Sequence, residues 1–252
     1  MDQLKNMWLP HIPKNAGTSL CNGIVSYTIK NKDFDLQGGY DVQWFKCINK
    51  QTNKKIHFHH NNGLEKGMDN WLKILIIRDP IDRVVSMFNF VKWLSLKKHE
   101  IVDNRTFEEF LIDTKKKKAP KFLKYMSATN HIEYLNLKNK ENTKNPLISK
   151  FTYKNLFDIF DHIIDISLIH KIYKLIEFNF SQQIIKWPIQ NTSNSIFKRM
   201  NEQLNVKLNA FVKNDINKND MDILLSMPEI LTDIEFYETI KTKHGMHFYN
   251  NR

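Results

Sequence analysis

The stretch from Trp71 to Ile77, WLKILII, constrains the fold more than any other part of the chain. It is apolar almost throughout and lacks the alternation of a strand with one wet face. Such a run suits a central parallel strand covered on both sides. Arg78, Asp79 and Pro80 end it, and a proline there fits the first turn of a helix. The expected helix runs from Ile81 to about Leu96, with Val84, Phe88 and Val91 at helical spacing.

The same strand-then-helix grammar recurs. Met7 to Ile12 reads as a short buried strand stopped by Pro13, followed by the loop KNAG. Thr18 to Ile29 reads as a helix with Leu20, Ile24 and Thr28 on one face. Lys55 to His60 is a second short strand, and Asp161 to Ser167 another, followed by a helix through Phe178. Thr106 and Glu109 make a capping pattern at the head of a helix reaching Leu111. Met221 to Leu225 and Glu229 to Lys243 read as helices around Pro228, and the Lys- and Asn-rich region from Ile112 through Lys150 as surface helices and loops. Strands alternating with helices, then helices alone, imply an α/β fold of three layers with a central parallel sheet and a helical second half, in a single domain over residues 1–252.

Composition narrows the partners. At 252 residues and 41% hydrophobic, the chain can bury a core and is not a disordered polyelectrolyte. A formal charge of +11 favours an anionic partner. Cys21 and Cys47 are too few for a disulfide framework and lack metal-ligand spacing, so reduced thiols are expected. His244 and His247 resemble a metal pair, but no carboxylate or cysteine cluster accompanies them and no metal site is expected. No apolar run reaches the ~18 residues of a membrane span. The amino terminus has no stretch suited to a signal peptide. If the sequence is full length, a soluble, cytoplasmic protein without a membrane span is the expectation.

Two segments carry chemistry. In HIPKNAGTS, His11 to Ser19, a strand runs into a loop and then a helix. Unpaired N–H groups at a helix start, together with the helix dipole, attract anions. Gly17 permits close backbone approach, Thr18 and Ser19 add hydroxyl donors, and Lys14 adds a point charge. The pattern differs from the nucleotide-hydrolase loop, which needs a Gly-Lys-Ser/Thr run that this chain lacks. In RDPIDRVVSMF, Arg78 to Phe88, Arg78 ends the central strand where open α/β sheets bind ligands, and Arg83 and Ser86 follow on the next helix. Arg78 and Ser86 suit a second phosphate.

Taken together, the two segments resemble the sulfotransferases that use 3′-phosphoadenosine 5′-phosphosulfate (PAPS). HIPKNAGTS is similar to their 5′-phosphosulfate loop, and RDPIDRVVSMF to their 3′-phosphate element. The nearest branch is the carbohydrate group related to heparan sulfate 2-O-sulfotransferase. The motifs stand in the family's order, roughly sixty residues apart. Weaker likeness continues through TFEEFL, NHIEYL, DHIIDIS and FYETI. The resemblance implies a P-loop-kinase-like fold and sulfate transfer to a hydroxyl, leaving adenosine 3′,5′-bisphosphate (PAP). It implies that Lys14, Asn15, Ala16, Gly17, Thr18 and Ser19 hold the phosphosulfate. Lys14 also neutralises the leaving oxygen. Arg78 and Ser86 hold the 3′-phosphate. Asn15 stands where the family commonly has threonine. The resemblance also implies a cofactor contact at Ser193, in the Asn-x-Ser stretch after Pro188.

A base must take the acceptor's proton, and histidine is suited to this at neutral pH. In the related branch a histidine on this strand stands about four positions before a glycine, which selects His59 before Gly63 within IHFHHNNG. His57 and His60 are fallbacks; His57 and His59 share one face of an extended strand, and His60 faces the other way. Lys115 to Lys118 reads as a solvated face or a steering patch, and Glu108 and Glu109 as surface residues or an alternative base. The expected acceptor is a glycan or a small polar metabolite with a hydroxyl, with no specific nucleic acid and no metal. A nucleotide kinase-like phosphotransferase, and a non-catalytic PAP- or nucleic-acid-binding protein, are the competing readings.

Overall fold

The computed structural model of the chain describes residues 5–10, 12, 20, 23–24, 32–39, 44–59, 64–99, 104–116, 131–142, 147–180 and 209–250. The chain divides into two compact units, Met1–Arg78 with His131–Ile189 and Phe236–Arg252, and Asp79–Asn130 with Gln190–Glu235. It is a mixed α/β structure with a central, mostly parallel sheet and several helices.

The first unit holds the strands β1 (Met7–Pro10), β2 (Phe34–Gly39), β3 (Trp44–Asn49), β4 (Lys55–His59), β5 (Leu72–Ile77), β6 (His162–Asp165) and β7 (His247–Tyr249). They form one sheet in the order β2-β3-β4-β1-β5-β6-β7. The central strands β4, β1, β5 and β6 run parallel. The flanks are antiparallel, with β2 on β3, β3 on β4, and β7 on β6. The sheet is therefore parallel only at its centre, and β2, β3 and β7 add flanks that the sequence reading did not assign. Five of the six residues of β5 are buried, as the apolar run requires. Lys73 is one of these five, and its Nζ donates to the carbonyls of Asp69 (2.7 Å) and Trp71 (3.0 Å). Burial lowers its pKa, with Asp161 opposing that shift most strongly.

The helices are α1 (Pro80–His99), α2 (Phe107–Lys115), α3 (His131–Asn142), α4 (Tyr153–Ile159), α5 (Ile169–Phe180), α6 (Lys218–Leu225) and α7 (Pro228–His244). Residues 20 and 23–24 are also helical. Met7, Leu9, Ile56, Phe58, Ile74, Ile76 and Ile164 project from one face of the sheet into a core shared with Leu20, Ile24, Ile172 and Ile176. Full burial of each such side chain is worth about 1.5–3 kcal/mol. On the opposite face Trp8 stacks on Phe160 at 5.5 Å.

The second unit is helical. Phe88 of α1 meets Phe107 at 5.2 Å, Phe110 at 5.4 Å and Phe211 at 5.5 Å. Asn89 pins the backbone of Phe211 twice, donating to its carbonyl (2.8 Å) and accepting from its N–H (3.0 Å). The Thr106–Glu109 capping box forms as the sequence implies. Glu109 N–H donates to Thr106 Oγ1 (3.2 Å), and Thr106 N–H donates to Glu109 Oε2 (2.8 Å).

Candidate functional site

The sheet topology creates one edge where a ligand belongs. From β1 the chain first builds β2, β3 and β4 on one side, then crosses to β5 on the other. Such a reversal opens a crevice beyond the carboxyl ends of parallel strands. Here it lies between β4 and β5, at the end of β1. His11–Ser19 begins at this point. Ile12 is buried and its N–H reaches the Pro10 carbonyl at 3.2 Å; Leu20, at the far end, is fully buried in the core. Both flanks of the segment are thus anchored. His11, Lys14, Asn15, Ala16, Gly17, Thr18 and Ser19 themselves lie outside the described residues, as do His60 and Ser193.

The parallel register sets Trp8 beside His57, and Pro10 beside His59. His59 is the last residue of β4, at the carboxyl edge; His57 sits one face-repeat deeper. The His57 ring meets the Trp71 ring at 4.6 Å and 71°, and both its nitrogens are shut off from solvent. His57 therefore lies deeper along β4 than His59, with its ring nitrogens buried.

Arg78 follows β5 directly and is half-buried. Asp79 then caps α1: its Oδ1 accepts from the N–H groups of Ile81 (2.9 Å) and Asp82 (3.0 Å), and its carbonyl from Arg83 N–H (2.9 Å). Its Oδ2 pairs with Lys213 at 2.9 Å. The first amides of α1 are therefore already satisfied. Any anion bound by this segment must be held by side chains such as Arg78 rather than by that helix terminus. Arg83 is 2% exposed and Ser86 8% exposed, both on α1. Arg83 is thus a buried residue of the helical unit.

Asp165 is a residue of this edge that sequence reasoning passed over. It ends β6, pairs in register with Ile77, and is 2% exposed. Its Oδ1 accepts from Ser167 N–H (2.8 Å), while its buried Oδ2 has no hydrogen-bond partner among the described residues. The available signal was a carboxylate closing the apolar run of DHIIDIS.

Other candidates take structural parts. Glu109 Oε2 is occupied by Thr106, which argues against a base there. Lys115 Nζ donates to Ser226 Oγ at 2.8 Å. Cys47 is buried in the core, and burial above all pushes its pKa up to about 12, with Asp35 adding to the shift. His247 meets His162 rather than His244, which lies against Phe157 and Phe248. Among the described residues no group of three or more His, Cys, Asp or Glu is arranged for a metal, and no helix is long and apolar enough to cross a membrane.

Residues 1–159 match the model of the sulfotransferase family. No curated protein and no solved structure matches the chain significantly.

Proposed function

This chain belongs to the sulfotransferase family, and on that premise we propose that it moves the sulfuryl group of PAPS to an acceptor hydroxyl. The observation that carries the reading is the meeting of chemistry and topology. The HIPKNAGTS segment leaves β1 at the sheet's switch point, with His59 on the neighbouring strand end and Arg78 at the end of the next strand. The donor set suits a nucleotide with an anionic group at either end: Lys14 with hydroxyls and amides in one segment, and Arg78 in another.

PAPS supplies an activated S–O bond whose cleavage leaves PAP. Lys14, Asn15, Ala16, Gly17, Thr18 and Ser19 bind the phosphosulfate end. Lys14 places positive charge where negative charge grows on the leaving phosphate oxygen; one such contact is commonly worth about 10²–10³ in turnover. Arg78 holds the 3′-phosphate, and Ser86 and Ser193 are assigned to the cofactor as well. His59 takes the proton of the acceptor hydroxyl as its oxygen bonds to sulfur. His57 and His60 are second choices, and burial of the His57 nitrogens weighs against it. Lysine, arginine and amides supply the field this transfer needs.

The acceptor is a hydroxyl of a carbohydrate, as in the branch related to heparan sulfate 2-O-sulfotransferase, or of a small polar metabolite. The testing experiment is a PAPS turnover screen across glycans and small hydroxylated metabolites, read as PAP release and as a mass gain on the acceptor. Acceptor-dependent PAP release supports the reading. PAP binding with no transfer to any acceptor would identify a non-catalytic nucleotide-binding protein instead.

A further inference from the structure

At the far edge of the sheet, away from the proposed transfer site, three basic groups stand in line. His162 Nδ1 lies 3.0 Å from His247 Nε2, and His247 Nδ1 lies 3.4 Å from Lys171 Nζ. The donor inventory fixes the order. An ammonium can only donate, so His247 Nδ1 accepts and its proton sits on Nε2. That Nε2–H then donates to His162 Nδ1, which must be bare. Both imidazoles are neutral in this arrangement, and neither can gain a proton without losing a hydrogen bond. A proton on His247 Nδ1 faces the ammonium; a proton on His162 Nδ1 faces another N–H.

The pair joins β6 to β7, a strand of three residues at the sheet edge. The turn before it is conformationally costly. Gly245 (φ 53°) and the non-glycine Met246 (φ 68°) are both in the left-handed region. The Met246 carbonyl in turn receives the N–H of Asp165 at 3.0 Å. Asp165 is the register partner of Ile77, the residue before Arg78. A continuous set of bonds therefore links the histidine pair to the carboxyl end of β6, beside the strand that ends at Arg78.

We infer that the His162–His247 contact is an acid-opened clasp: the neutral pair holds β7 and, through Met246, the end of β6, and a proton on either imidazole releases both. The groups facing the pair are Lys171 from α5, Asp161 just before β6, and Tyr249 of β7, whose ring stacks on His162 at 4.8 Å. His170 and Lys174 of α5 are exposed, and His244 packs on Phe248, which alternation directs to the other side of β7. Burial first, then His247, pulls the His162 pKa down to about 4, with Asp161 opposing; burial and Lys171 lower that of His247. A folded-state pKa below the unfolded value of about 6.5 means full stability above that pH. The stability is then lost as pH falls through the window towards 4. The clasp does not depend on the identity of the sulfuryl donor.

Amide exchange on the full chain, expressed as protection relative to intrinsic rates at pH 7.5 and pH 5.0, tests it. Protection at Asp165 and across residues 247–249 should fall roughly tenfold more than across residues 72–77. The double variant His162→Asn with His247→Gln keeps an acceptor, a donor and a second acceptor in the same order without a titrating group, and should abolish the excess loss. An excess loss that persists in the folded double variant overturns the clasp. So does equal behaviour of β7 and β5 in the unaltered chain, which decides the matter even if the double variant fails to fold.

Discussion

Pro10 and His59 stand side by side at the carboxyl ends of β1 and β4. The segment that begins at His11 and the histidine proposed as base therefore start from the same sheet edge. Transfer between a bound phosphosulfate and a hydroxyl beside it needs that adjacency, because orientation supplies much of the rate.

Replacing Lys14 by alanine should lower turnover about 10²–10³-fold, since the growing charge on the leaving oxygen loses its partner. The thermal midpoint should stay within a degree or two. Steady-state PAP release and a melting curve on the same sample check both halves, and near-normal turnover would remove Lys14 from its role.

The two strand histidines should part company. His59→Ala abolishes transfer while PAP binding stays within a few fold. His57→Ala removes a ring packed on Trp71 with both nitrogens buried, so it should cost about 1–3 kcal/mol of stability and leave kcat within a few fold. Denaturant melts, PAP titration and turnover on both variants separate these outcomes. The reverse pattern moves the base to His57.

Arg78→Ala should weaken PAP binding about ten- to hundredfold, the usual worth of a charge-assisted phosphate contact. Adenosine 5′-monophosphate, which lacks the 3′-phosphate, should bind both proteins alike. Equal weakening of both ligands would mean that Arg78 serves the fold or the nucleotide generally.

Asp79→Ala removes the cap of α1 and should cost about 1 kcal/mol, while Asp79→Asn, which keeps an accepting oxygen, should cost much less. The exposed pair with Lys213 adds little. Chemical denaturation midpoints decide this. An asparagine variant as damaged as the alanine variant would show that the charge, not the cap, matters.

Cys47 should resist alkylation at pH 8 in the folded protein and react only after denaturation, because it is buried and its thiolate is strongly disfavoured. Peptide mapping after iodoacetamide treatment reads this out, and native labelling of Cys47 would contradict its placement in the core.

The parts of the fold that could be read in the sequence were those whose signals are local. The run ending at Ile77 became β5, Pro80 opened α1, and Thr106 with Glu109 formed their box. The strands β2 and β3 escaped because FDLQGG and WFKCIN mix glycine, charge and apolar residues without clean alternation; the pairing of β2 with β3 and of β3 with β4, not propensity, makes them strands. β7 is too short to carry a pattern and exists through its ladder to β6. In the same way, HGMH looked like a local pair, yet the partner of His247 is His162, 85 residues away. Asp165 carried no motif; only its position at the end of β6 draws attention to it.

The central claim is that the edge at the end of β1 binds a 3′-phosphorylated adenosine nucleotide. The most direct measurement is the melting temperature of the chain with PAP and, separately, with ADP and magnesium at equal concentration. A ligand at about a hundred times its Kd adds about 2.7 kcal/mol. PAP should therefore raise the midpoint by several degrees while ADP with magnesium leaves it nearly unchanged, and Lys14→Ala and Arg78→Ala should each reduce the PAP shift. A shift with ADP and magnesium equal to or larger than that with PAP would contradict the account and point to a phosphotransferase.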